Sequence, residues 1–77
     1  MRSSYKIYNF GTPREYFGVP NVVAAIHEYG YAVGLVIKIS GGYKVVAAKV
    51  SGTQFHSWAP DIEGGIVEAI ELMSFFV

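Results

Sequence analysis

The sequence contains no cysteine, which excludes disulfides and thiolate zinc sites alike. It also lacks a long apolar run. The most apolar stretch, Tyr31 to Ile37, is stopped by Lys38 and is far too short to span a bilayer. Met1 and Arg2 are followed by Ser3, Ser4, Tyr5 and Lys6, where a signal peptide would place an apolar segment and a cleavage site. No membrane association and a cytoplasmic location are therefore expected, and the absence of cysteine is compatible with a reducing compartment. Basic residues are missing from the whole second part of the chain. All six (Arg2, Lys6, Arg14, Lys38, Lys44, Lys49) precede residue 50, whereas Asp61, Glu63, Glu68 and Glu71 follow residue 60. The net charge of zero hides a basic front and an acidic rear.

What the chain has in excess is apolar material: 52% of its 77 residues are hydrophobic and 16% aromatic. That length suits one compact domain spanning residues 1–77 with a single core. So small a body cannot hide that much apolar surface, so part of it is expected to face a partner, a second copy included.

Tyr5, Ile7, Tyr8 and Phe10 read as an edge strand ended by Gly11. Thr12-Pro13-Arg14-Glu15 has the form of a capping box with proline at the first helical position, predicting one helical turn. Val22, Val23, Ile26 and Tyr29 recur at helical spacing, which predicts a helix from Pro20 to Tyr29, stopped by Gly30. Residues 31–40 and 43–50 read as a hairpin turning at Gly41-Gly42, with 37 facing 46 and 35 facing 48. One face of that hairpin then carries Val33, Leu35, Ile37, Ile39, Val46, Ala48 and Val50, read as core. The other carries Gly34, Val36, Lys38, Tyr43, Val45, Ala47 and Lys49, read as open. Thr53 to Trp58 forms a further short strand, with Phe55 opposed to His56 and Trp58. Pro60 opens a helix to about Ser74 whose apolar stripe is Ile62, Ile66, Ala69, Ile70 and Met73. Gly64-Gly65 lowers helix propensity at its start, so the helix is expected to begin after them; the alternative is a close backbone approach there. The expected fold is α+β: strand, helix, hairpin, strand, helix, forming a three- or four-stranded antiparallel sheet with two helices on one face.

Catalytic and metal chemistry find no foothold in these residues. His27 and His56 are the only histidines, without the spacing of a metal motif. Ser57 is not in a nucleophile elbow, and Glu68 with Glu71 reads as a solvated helix surface rather than an acid–base pair in a cleft. No catalytic residue, metal or cofactor is expected. The order of helix, strands and helix resembles the double-stranded-RNA-binding fold. That family grips phosphates with lysines at the start of its last helix, where this chain has Pro60-Asp61-Ile62-Glu63. Nucleic acid is thus left only Lys38, Lys44 and Lys49, a small electrostatic footprint.

Two surfaces remain as candidate sites. The first is the acidic helix with Asp61, Glu63, Glu68, Glu71, Leu72 and Phe75, suited to a basic site on a protein partner. The second is the sheet face with Val36, Lys38, Tyr43, Val45 and Lys49, suited to docking or a homodimer. The Gly-Gly-Tyr hairpin, Gly30-Tyr31, and Trp58-Ala59-Pro60 leading into Ile66-Val67-Glu68-Ala69-Ile70-Glu71-Leu72 resemble small phage and prophage proteins, some with ABA-sandwich domains. Some members of that group are anti-CRISPR or other inhibitors of host defence. The resemblance implies a non-enzymatic protein-binding module in the bacterial host cytosol that inhibits a host complex, such as a CRISPR effector, by covering its surface. The alternatives are a small homo-oligomeric accessory protein or a nucleic-acid-binding module.

Overall fold

The computed structural model describes residues 5–28 and 31–76. They form five strands, β1 (Tyr5–Tyr16), β2 (Val19–Glu28), β3 (Ala32–Ile39), β4 (Gly42–Lys49) and β5 (Gln54–Ala59). Helix α1 (Ile62–Met73) and a 3-10 turn over Ser74–Phe76 follow. Each strand pairs antiparallel with the next, in chain order, so the sheet is a meander carrying one helix. This overturns the expected three- or four-stranded sheet with two helices.

The expected first helix is β2. Val22, Val23, Ala24, Ala25 and Ile26 are all fully buried, because chain lies over both faces of this strand. A strand covered on both sides loses the alternation that marks a half-buried one, and its continuous apolar run imitates a helical stripe. The β-branched Val22, Val23 and Ile26 favour the extended form. Tyr29 and Gly30, the expected end of that helix, lie outside the described residues, as does Arg2. The expected helical turn at residues 12–15 is part of β1. Pairing passes from Asn9↔Ala24 to Arg14↔Val22, so residues 10–13 stand against Val23 alone. Gly11, at φ +79°, permits this wide bulge, and Pro13 is tolerated because β1 is an edge strand.

The β3–β4 hairpin turns at Ser40-Gly41, since Ile39 pairs with Gly42 and Leu35 with Val46. The register is therefore two residues from the expected one. A shift of two keeps every side chain on its face, so the division into two sets stands. Which set is covered is inverted. Helix α1 lies on the face of Gly34, Val36, Val45 and Ala47, all buried, and leaves Val33, Leu35, Ile37 and Val46 only half-buried.

Small residues cause the inversion. Asp61 caps α1, its side chain accepting a hydrogen bond from the Gly64 N–H at 2.6 Å. The helix thus includes both glycines instead of starting after them. A Cβ at Gly65 would stand 2.6 Å from Val36 Cγ1, and one at Gly34 would stand 3.0 Å from both Ala69 Cβ and Met73 Sδ. Helix and sheet are tightest at these two points, Gly65 leaving no room for a Cβ and Gly34 leaving little, and the smaller face of the hairpin is the one that admits so close an approach. Ser57 Oγ donates to Glu68 Oε2 at 2.8 Å along one flank, and Phe55 stacks on Phe76 at 5.2 Å. Replacing Gly65 with alanine adds about 1 kcal/mol of helix propensity but forces a methyl into a branched, buried neighbour. Gly65→Ala is therefore expected to lower unfolding free energy by about 1–3 kcal/mol in urea titration.

Candidate functional site

Strand pairing places the helix-free face in detail. Val33, Leu35, Ile37 and Ile39 stand along β3, Lys44, Val46 and Ala48 along β4, and Gln54, His56 and Trp58 along β5. The centre of this surface is aliphatic, and it carries no carboxylate. Trp58 is 54% exposed and lies against Gly42, where a Cβ would meet the indole Nε1 at 2.6 Å. His56 Nε2 and Gln54 Oε1 are 3.2 Å apart at the outer edge.

The tip of the β1–β2 hairpin bounds the face on its other side. Tyr16 pairs with Val19, leaving Phe17-Gly18 as a two-residue turn with φ of +51° and +78°, the requirement of a type I′ hairpin. With Asn21 at φ +65° and the β1 bulge, the tip bends back over the sheet. The Tyr16 hydroxyl thereby reaches His27 Nε2 at 2.6 Å, eleven residues along the chain. Tyr8 and Phe17 set their ring edges against His27, at 5.8 and 6.3 Å between centroids. Arg14 lies over Phe10 at 4.7 Å. His27 faces the same side as Val33, so this aromatic clasp closes over the helix-free side of β2 and explains the burial of Ala25. From Phe17 an open groove of about 500 Å³ runs past His27 and Val33 to the end of the sheet, where Glu28, Tyr31, Lys49 and Val50 also line it.

The residues expected to form two sites do not gather as such. Val36 and Val45 are fully buried beneath α1, so the face expected to be open is the covered one. Lys38 Nζ sits 5.2 Å from the centroid of the Tyr43 ring, and Lys49 Nζ sits 5.4 and 5.7 Å from those of Tyr31 and Phe76. Of the acidic helix, Asp61 is occupied as the cap and Glu68 is bound to Ser57, while Leu72 belongs to the core. Glu63 and Glu71 are exposed, and Phe75, 68% exposed, abuts Phe55 edge-on at 5.7 Å. Only Glu63 and Glu71, with Val67 between them, form a free stripe. Sequence reasoning missed Leu35, Ile37, Val46 and Phe17 as surface residues. The small residues Gly34, Ala47, Gly65 and Ala69 were the available signal, because together they mark the face a helix can approach. Among the described residues no three of the His, Asp and Glu side chains cluster to hold a metal ion, and no helix is long and apolar enough to cross a membrane.

Burial raises the pKa of the Tyr16 phenol above 10.0, with the nearby Tyr8 adding to the rise and Arg14 opposing it. A folded-state pKa above the unfolded one means that the folded chain holds this proton more tightly. The corresponding stability is complete below pH 10 and is lost as pH rises further. Tyr16→Phe is expected to remove that alkaline decline and, by deleting the bond to His27, to cost about 0.5–1.5 kcal/mol at neutral pH, measured by denaturant unfolding across pH. Phe17 is 80% exposed in a backbone conformation that disfavours branched or bulky side chains. Phe17→Asn, which supplies the preferred Asn-Gly turn, is expected to raise stability by about 0.5–1 kcal/mol. A loss of stability would show that the ring is held by packing. No family model, curated protein or solved structure matches the chain.

Proposed function

We propose that this chain is a non-enzymatic protein-binding module whose docking surface is the helix-free face of the sheet. One observation carries the reading: Val33, Leu35, Ile37, Ile39, Val46 and Trp58 share a surface that α1 does not cover. An apolar centre with polar groups at its edge is the make-up of an interface core and rim. A single-layer sheet with one bare apolar face is an incomplete two-layer arrangement that a partner can complete. The action is steric. Such a module works by covering a surface, which is the mode implied by the resemblance to phage-encoded inhibitors; a host complex as the partner rests on that resemblance. The acidic stripe of α1 is a poorer candidate, because two of its expected carboxylates are engaged within the chain.

Leu35→Lys places a charge at the centre of the face without touching the helix-side core. In capture from a bacterial lysate by immobilised protein, the wild type and Glu63→Lys/Glu71→Lys are expected to retain the same partner, and folded Leu35→Lys to lose it. Equal retention by Leu35→Lys, or loss confined to the helix variant, contradicts the assignment of the face. A wild-type protein that retains nothing above background removes binding to a different protein.

A further inference from the structure

We infer that in the free protein the helix-free face is held by a second copy of this chain, packed sheet against sheet in a reversible two-fold dimer that a different protein must displace in order to dock. The inference rests on the docking face proposed above.

Three properties of the face argue for self-pairing. The first is charge. Lys44 is the only Lys, Arg, Asp or Glu of β3, β4 or β5 on this side, so nothing at the centre demands a partner of opposite sign. The exposed stripe of α1, by contrast, sets Glu63 and Glu71 two turns apart on one line, and two such stripes repel. The second is shape. The bulky row Val33, Leu35, Ile37 and Ile39 on β3 forms a ridge, and β4 beside it is lower at Val46 and Ala48. A surface that contains both a ridge and a trough can interdigitate with its own copy, as facing sheets do at a spacing of about 10 Å. In an isologous contact each such residue is used twice.

The third is area. Three strands about 4.8 Å apart and six residues long present roughly 300 Å² in plan, or roughly 500 Å² of accessible surface per copy once the side chains are counted. Two copies bury about 1,000 Å², the lower bound for a specific interface. The hairpin tip bearing Phe17 rises over β2 and walls the patch on one side, so the contact is confined to β3, β4 and β5. An area at this bound belongs to a reversible dimer rather than an obligate one.

Trp58 is the only tryptophan and lies on this face, so its fluorescence reports coverage directly. Sedimentation velocity of the full chain from about 1 to about 500 µM is expected to show the mass rising from one chain towards two, with Trp58 emission moving to shorter wavelength over the same range. Leu35→Lys and Val46→Lys, each confirmed as folded by circular dichroism, are expected to raise the dissociation constant at least about tenfold. Glu63→Lys/Glu71→Lys is expected to leave it unchanged. A wild-type chain that stays single at the highest concentration, with unshifted Trp58 emission, overturns the second copy as occupant. In that event the docking reading survives if Leu35→Lys still abolishes capture of a different protein, and falls with it if capture is unaffected. Association that the helix variant disrupts and both sheet variants leave intact overturns the assignment of the face.

Discussion

The rest of the structure depends on the approach of one helix to one sheet at two glycines. Gly65 brings the helix backbone onto the methyls of Val36, and Gly34 opens the sheet beneath Ala69 and Met73. At each of these points one of the two layers contributes no side chain, so the helix sits deep enough for Val45, Ala47 and Ala59 to be buried as well. Depth on one side has a consequence on the other. The larger aliphatic side chains of β3 and β4 are directed away from the only long helix among the described residues, and no other described element lies over β3, β4 and β5 on that side. The core is built from the smaller half of the hairpin, and the surface inherits the larger half.

Strand β2 marks the boundary between the two regimes. On its helix side lie Ala24 and Ile26, packed into the core. On its other side the returning hairpin tip lays Tyr16 and Phe17 against His27. The clasp therefore completes for one strand what is incomplete for the next three. Its backbone cost is visible at Phe17 and Asn21, both non-glycine residues at positive φ, a conformation that natural chains accept where the surroundings or a function require it. Here the bend both buries β2 and erects the wall beside the docking face.

The last helix was legible in the apolar spacing of Ile62, Ile66, Ala69, Ile70 and Met73 behind Pro60, but its start was not: Asp61 caps it ahead of both glycines, which were expected to precede it. The strand character of residues 5–10, 32–39, 43–49 and 54–58 was legible in the same way, as was the division of the hairpin into two faces. The helix expected over residues 20–29 shows where such reasoning fails. Periodicity reports exposure on one side, and residues 22–26 have exposure on neither, so their unbroken apolar run fits a helical spacing as readily as an extended one. Thr12-Pro13-Arg14-Glu15 satisfies the local rule for a helix start, yet the pairing of β1 with β2 outweighs one capped turn. The inversion of the faces has another cause. Bulk and hydrophobicity favoured Leu35 and Ile37 as core, while the decisive quantity was the distance of closest approach, which is written in glycines and alanines spread over β3, β4 and α1. The candidate docking site was hidden by the same choice, since its residues are those that composition alone assigns to the interior.

The central claim is that α1 covers the face of Val36 and Val45 and leaves that of Leu35 and Val46 free. Proton–proton nuclear Overhauser contacts in the dilute, monomeric chain test it most directly. The account predicts contacts from the Val36 methyls to the Gly65 α-protons and from Gly34 to the Ala69 and Met73 methyls, with none between α1 and Leu35 or Val46. Contacts from α1 to Leu35 and Val46 in place of these would contradict it.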